Sequence, residues 1–146
     1  MTDRMNKKNP LTEREIARWV WQILTALNYL HTMKVMHRDM KLENVMMYYS
    51  DADGEPICKV TDFGFAQYVQ PEGQDNIKIG TPLYMAPEIL NENSYDNKID
   101  IWAIGVLTTE LLTGHPPFLG KSKEEVYYKI CNKEPNIGSF EKKRMK

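Results

Sequence analysis

Residues 37–44 read His-Arg-Asp-Met-Lys-Leu-Glu-Asn, and this run decides how the chain is interpreted. Asp-Phe-Gly follows at 62–64 and Ala-Pro-Glu at 86–88. Each of these strings alone is a weak signal, because short strings recur by chance. The three in this order and with these gaps together form a specific signature.

The segments that flank this run predict a small hairpin. Residues 45–48 and 57–60 are short apolar runs, and Asp53 and Gly54 between them have a turn composition. Such a hairpin presents the 37–44 loop on one side and Asp62 on the other.

The rest of the chain is expected to be mainly α-helical, with a few short strands. Residues 11–32 carry apolar side chains at helical spacing, and Thr12 and Glu15 form a capping box at the start of this helix. Residues 99–112 are apolar on nearly all sides, which predicts a buried central helix. A second capping box opens a helix over residues 122–132.

The composition excludes several classes of protein. The 146 residues are 42% hydrophobic and 27% charged, as in ordinary globular domains, and the net charge of −1 gives no reason to expect nucleic acid or a membrane as a partner. No apolar stretch is long enough to span a bilayer. Cys58 and Cys131 are too few for a disulfide framework, so reduced thiols and a cytoplasmic or nuclear location are expected.

The acidic turn between the two runs also allows a calcium loop, in a calcium-binding helical protein. With Gly54 at the sixth position of such a loop, the first and twelfth positions would be Tyr49 and Val60. Neither can supply a carboxylate ligand, so Asp51 and Asp53 are better interpreted as part of a turn.

With its three motifs, the chain resembles the eukaryotic protein serine/threonine kinase family from about residue 11 to residue 135. No Gly-x-Gly-x-x-Gly loop and no Val-Ala-Ile-Lys strand precedes residue 37. The resemblance therefore implies the large lobe of the kinase fold, with the small lobe absent and the last helices lacking. Residues 1–10 are expected to form a flexible segment, and residues 136–146 a basic tail.

The resemblance implies ATP and Mg²⁺ as cofactors and a catalytic set of Asp39, Lys41 and Asn44. Asp39 is expected to act as the base toward the substrate hydroxyl, and Lys41 to reach the γ-phosphate. Asn44 and Asp62 are expected to bind Mg²⁺, which prefers such a sparse set of oxygen ligands. For His-Arg-Asp alone, a solvated polar loop is an equally good interpretation, but the whole set favours the kinase site.

Further ATP contacts follow from the register of the family. Met46 is expected to form the floor of the adenine site with Thr61 beside it, and Glu43 to contact the ribose. For Met46 alone, a core position would be the favoured interpretation, because methionine fills irregular gaps.

The substrate is expected to be a protein that is basic near the phosphoacceptor. Gly80, Thr81 and Pro82 resemble the segment that seats the phosphoacceptor. Glu43 and Glu110 match two carboxylates that flank the peptide groove in basophilic members of the family, and such a pair favours arginine. The alternative is that Glu43 contacts only the ribose and Glu110 only stabilises packing at a helix end.

Within the family, the chain looks most like the calcium/calmodulin-dependent and calcium-dependent kinases. This likeness rests on residues 11–15, on the Asp-Gly insertion before Val60 and on residues 78–81. Regulation by a calcium sensor is expected on this ground alone.

The segment after Asp-Phe-Gly lacks the usual acceptor for an activating phosphate. No Ser or Thr lies between Gly64 and Gly80. Activation is therefore expected without phosphorylation there, with Glu72 or Asp75 as a fixed acidic partner for Arg38. An equally good interpretation is that both acids are simply solvated.

Two hypotheses follow for the function. The first is transfer of the ATP γ-phosphate to serine or threonine of protein substrates. The alternative is a catalytically incompetent kinase-like interaction module or a truncated fragment. The intact catalytic and metal-binding residues favour the first hypothesis, and the missing small lobe favours the second.

Overall fold

Helices form most of the regular structure in the computed structural model, which describes residues 1, 11–49, 56–70 and 77–137. The helices are α1 (Glu13–Thr32), α2 (Pro87–Leu90), α3 (Lys98–Thr113) and α4 (Lys123–Asn132). Single 3₁₀ turns lie at Leu42–Asn44 and Pro82–Tyr84. The expectation of a mainly helical fold is confirmed for the described part of the chain. Residues 2–10 of the expected flexible segment and most of the basic tail lie outside it.

The strands form two antiparallel pairs. They are β1 (Val35–Met36), which pairs with β4 (Gln67–Tyr68), and β2 (Val45–Tyr49), which pairs with β3 (Pro56–Val60). The second pair is the expected hairpin, with Val45 opposite Val60. Its turn at residues 50–55 lies outside the described residues.

The start of α1 confirms the predicted capping box. Thr12 Oγ1 accepts a hydrogen bond from the Glu15 N–H at 3.2 Å, and the Glu15 carboxylate accepts one from the Thr12 N–H at 2.8 Å. Both contacts satisfy amides that a helix leaves without intrahelical partners. The buried face of α1 consists of Ile16, Trp19, Ile23 and Leu27.

The capping box predicted for α4 is only half formed. Ser122 Oγ accepts a hydrogen bond from the Glu125 N–H at 3.3 Å, as expected. The Glu125 carboxylate accepts its hydrogen bond from the Lys121 N–H at 2.7 Å, one residue before the cap. The helix start is therefore stabilised from both sides, but not by the reciprocal pair.

The central helix α3 is less buried than the sequence predicted. Residues such as Ile104 and Leu107 are buried, but Ile101 is 48% exposed. An apolar helix thus leaves part of its surface open in the described structure. It ends at Gly114, whose left-handed φ of 88° is typical of a glycine after a helix end.

Two clusters of buried side chains form the core. The first joins α1, α3 and the hairpin, and the second joins α2, α4 and the start of α3. The 37–44 segment lies where they meet, because Met40 and Leu42 belong to the first cluster and Met36 to the second. Within the described residues, we find no helix long and apolar enough to cross a membrane.

Candidate active site

A carboxylate of α3 holds the backbone of the 37–44 loop. Asp100 is 1% exposed and accepts hydrogen bonds from the N–H groups of His37 and Arg38, each at 2.9 Å. Its Oδ2 also lies 2.8 Å from Nε2 of His31, at the end of α1. These three contacts satisfy a buried carboxylate that would otherwise be costly. They also fix the loop on α3.

Two residues of the site have a left-handed backbone. The φ angles of Arg38 and Asp62 are 68° and 62°. This region is unfavourable for residues with a Cβ and persists where tertiary contacts hold it. Arg38 Nε donates to the carbonyl of Phe65 at 2.6 Å. The acidic partners expected for Arg38 fall at positions 72 and 75, outside the described residues.

His37 joins the loop to the end of β3 as a structural residue. It is fully buried, and its Nε2 lies 3.0 Å from the carbonyl oxygen of Thr61. Its Nδ1 accepts a hydrogen bond from the Asp39 N–H at 3.3 Å. A ring with its proton on Nε2 satisfies both contacts.

The side chains of Asp39, Lys41, Asn44 and Thr81 converge in the structure. Lys41 Nζ lies 2.7 Å from Asp39 Oδ2 and donates to Thr81 Oγ1 at 3.0 Å. Thr81 Oγ1 in turn donates to Asp39 Oδ1 at 2.7 Å. Asn44 Nδ2 donates to the carbonyl oxygen of Asp39 at 2.8 Å and to Oδ2 at 3.1 Å.

These contacts keep the Asp39 carboxylate ionised. Burial alone would raise the pKa of Asp39, but hydrogen bonds from Lys41 and Thr81, the Lys41 charge and the Asn44 amide outweigh it and lower the pKa. A carboxylate with a lowered pKa is a weak base. It is suited to orient a hydroxyl group and to receive its proton only as the hydroxyl oxygen forms its new bond.

Asn44 and the segment before Asp62 are joined directly. The Thr61 N–H and Oγ1 both donate to the Asn44 carbonyl oxygen, at 2.9 and 3.1 Å. Asp62 is exposed and accepts a hydrogen bond from the Gly64 N–H at 3.3 Å. The amide nitrogen of Asn44 is used by Asp39, so its amide oxygen is the atom suited to a ligand.

This donor set fits a magnesium ion that is bound together with phosphate. Among the residues that the structure describes, no group of three His, Cys, Asp or Glu could hold a metal ion. One carboxylate and one amide oxygen are a sparse set, and Mg²⁺ commonly completes such a set with phosphate oxygens and water.

The residues expected at the adenine site lie on the hairpin and directly after it. Met46 is 57% exposed on β2, opposite Lys59, and Thr61 follows β3. The exposure of Met46 shows that the alternative interpretation, a core position, is wrong for the described structure.

The segment expected to seat the phosphoacceptor passes close to the catalytic loop. Gly80 has a φ of 106°, and a Cβ there would lie 2.7 Å from the Arg38 carbonyl oxygen. Glycine is therefore required, because a side chain would displace backbone. Thr81 follows on the Asp39 side, and Pro82 begins the 3₁₀ turn.

Glu110 contacts this segment through Tyr84, which sequence analysis missed. The Tyr84 hydroxyl donates to the Glu110 carboxylate. Burial raises the pKa of Glu110, and the charge of Glu43 adds to this effect, although the hydrogen bond from Tyr84 opposes it. Burial likewise raises the pKa of Tyr84, which stays neutral. Glu43 itself is exposed, within electrostatic reach of both groups.

Comparison with known proteins identifies the family. A protein kinase domain matches residues 1–145. Serine/threonine-protein kinase CLA4 of Saccharomyces cerevisiae is 37% identical over 95% of the chain, and serine/threonine-protein kinase max-2 of Caenorhabditis elegans is 38% identical over 89%. Serine/threonine-protein kinase DCLK1 of Rattus norvegicus is 40% identical over 84%. The chain therefore belongs to the protein kinase family, among serine/threonine kinases.

The chain spans only part of these relatives: 17% of CLA4, 20% of max-2 and 28% of DCLK1. A helix-rich fold with few short strands fits a part of the kinase fold, and the family generally uses ATP and Mg²⁺. These relatives do not specifically support the calcium/calmodulin-dependent group, so that subgroup and calcium-sensor regulation stay predictions.

Proposed function

We propose that this chain carries the catalytic loop of an enzyme that transfers the ATP γ-phosphate to serine or threonine of proteins. The observation that carries the proposal is the contact of Asp39 with both Lys41 and Thr81, each at 2.7 Å. It brings a carboxylate acceptor and a cation to one point, as phosphoryl transfer requires.

In this proposal Asp39 accepts the hydrogen bond of the substrate hydroxyl and then its proton. Lys41 offsets negative charge as the phosphoryl group moves, and Asn44 holds Asp39 in place through its amide nitrogen. Asn44 and Asp62 would hold Mg²⁺ through oxygen atoms. When bound, ATP would supply the phosphoryl group, and Mg²⁺ would neutralise its negative charge.

An open apolar groove between α1 and β3 supports the proposal that the chain is the large lobe. Trp21 and Tyr29 are each 67% exposed, Phe63 is 48% exposed and Ile57 46% exposed, and all four line the groove. Large exposed apolar surfaces mark interfaces. In a kinase fold this face is next to Asp62 and would meet the small lobe, with Met46 and Thr61 facing adenine between them.

The acidic pair supports a preference for basic substrates. Glu43 is exposed and Glu110 is half-buried, and neither forms an ion pair in the described residues. An arginine side chain could meet both carboxylates. Glu110→Gln is therefore expected to reduce the preference for arginine-containing over arginine-free peptides, and an unchanged preference would contradict this part.

The alternative is a non-catalytic kinase-like interaction module, in which the same open groove would serve as a surface for a partner protein. The deciding experiment joins the chain behind the small lobe of max-2; we call this protein the lobe fusion. It should transfer labelled phosphate to Ser and Thr peptides but not to Tyr peptides. The non-catalytic module would be favoured if the lobe fusion folds but transfers no phosphate, or transfers it equally well after Asp39→Asn.

A further inference from the structure

The segment that precedes Thr81 is tied to the loop after α2 by side chains of the chain itself. Lys78 Nζ lies 2.9 Å from Glu92 Oε1. The Tyr95 hydroxyl donates to the carbonyl oxygen of Ile77 at 3.3 Å. Tyr95 is 4% exposed and belongs to the second core cluster, so it offers a rigid point of attachment.

A short path leads from this tie to the catalytic carboxylate. Only three residues separate Ile77 from Thr81. Within them, Gly80 lies directly against the backbone of Arg38. Thr81 then donates to Asp39. Because the path is short and closely packed, a displacement at residue 77 changes the position of the Thr81 hydroxyl.

We propose that Tyr95 and the Lys78–Glu92 ion pair are positioning residues, which keep the Thr81 hydroxyl on Asp39. The inference rests on the proposed function for its catalytic meaning, but its geometry can be tested without phosphoryl transfer.

In this chain, the contacts of Tyr95 and Glu92 would hold the segment before Thr81 in place of an activating phosphate. Protein kinases commonly order this segment through a phosphate that pairs with arginine. No Ser or Thr lies between Gly64 and Gly80. Arg38 of the 37–44 loop donates to the carbonyl oxygen of Phe65, and residues 77 and 78 are held by side chains from the loop after α2.

The two ties differ in expected strength. The ion pair is 44% exposed at Lys78 and 64% exposed at Glu92. Solvent screens such a pair, so its contribution is small. The hydroxyl of Tyr95 is anchored by a buried ring and bonds to a backbone carbonyl, so its removal is expected to have the larger effect.

The test uses NMR spectroscopy on the 146-residue chain. The readouts are the Thr81 methyl resonance and the exchange of the Tyr84 amide, which donates to the Thr81 carbonyl oxygen at 2.9 Å. Tyr95→Phe should shift the resonance and speed exchange of this amide about fivefold, as for one lost hydrogen bond. Lys78→Gln should speed it about twofold.

Matched variants separate positioning from general stability. Tyr127→Phe changes a ring packed against the same core cluster, and Lys129→Gln removes the ion pair with Glu125 on α4. Both should leave the Thr81 resonance and Tyr84 exchange unchanged. The double variant Lys78→Glu with Glu92→Lys reverses the ion pair. It should return the hydrogen exchange of the Tyr84 amide to the wild-type rate.

Unchanged Thr81 and Tyr84 signals in both Tyr95→Phe and Lys78→Gln would overturn the inference. If Tyr95→Phe unfolds the chain, Lys78→Gln and its charge-exchange partner decide: acceleration with rescue supports the inference, and no acceleration overturns it. If the NMR signals change as expected but the lobe fusion transfers no phosphate, the proposed function is contradicted. The inference that Tyr95 and the Lys78–Glu92 pair position Thr81 would still hold.

Discussion

Asp39 is the residue on which the proposed chemistry depends most directly. In the lobe fusion, Asp39→Asn should reduce phosphoryl transfer by roughly 10²–10⁴-fold, because the group that accepts the substrate proton is lost. Asp62→Asn should abolish the use of Mg²⁺ and ATP more completely. Initial rates with a labelled peptide measure both effects. Near-wild-type rates in both variants would refute the assignment, provided that circular dichroism shows them folded.

Glu110 makes the stability of the chain depend on pH. Burial raises its pKa above the ordinary value of 4.5, so the folded state holds the proton more tightly than the unfolded state. Its contribution to stability is thus fully present below 4.5 and is lost as pH rises through the folded pKa. Relative to Glu110→Gln, the wild-type free energy of unfolding should fall over that range. Urea unfolding at several pH values measures it, and parallel curves would contradict it.

At the residue scale, the sequence predicts the identity of site residues better than their contacts. Asp39, Lys41 and Asn44 lie within one short motif, so their proximity follows from the sequence. The bond from Tyr84 to Glu110 spans 26 residues, and no local pattern predicts which side chain the fold will bring to Glu110. The contact of His31 with a residue 69 positions later is of the same kind.

At the scale of elements, the capping box of α1 allows a direct measurement. Thr12→Ala should lower the free energy of unfolding by about 1 kcal/mol, because the Glu15 amide loses its acceptor. Thr25→Ala is the matched control, since Thr25 lies within the same helix and donates to the Trp21 carbonyl oxygen. That variant should cost much less. Equal losses in urea unfolding would show that the cap contributes nothing specific.

Elements were predicted where local pattern decides them. The hairpin follows from two apolar runs with a turn composition between them, and α1 follows from helical spacing and a cap; these patterns act within a few residues. The burial of α3 depends on what covers each face, and composition does not carry that information. The local sequence of α3 is typical of a buried helix, so Ile101 was expected to be buried. It is 48% exposed in the structure.

At the scale of the whole molecule, the 146-residue chain alone should show little or no kinase activity. Kinases also bind the ATP phosphates through a Gly-rich loop and a strand lysine, and this sequence contains no Gly-x-Gly-x-x-Gly motif. ATP binding by calorimetry should be weak for the same reason. The lobe fusion is the positive control. Robust turnover by the chain alone, lost on Asp39→Ala, would be the contrary result.

The left-handed backbone at Arg38 is expected to make the 37–44 loop form late during folding. A φ of 68° is unfavourable until a tertiary partner holds it, and that partner, Asp100, lies 62 residues further along the chain. Closing so long a loop is expected late, after local structure has formed. Asp100→Asn should therefore speed unfolding and leave the refolding rate nearly unchanged in stopped-flow experiments. A refolding rate that falls in proportion to the lost stability would instead place the loop in the folding nucleus.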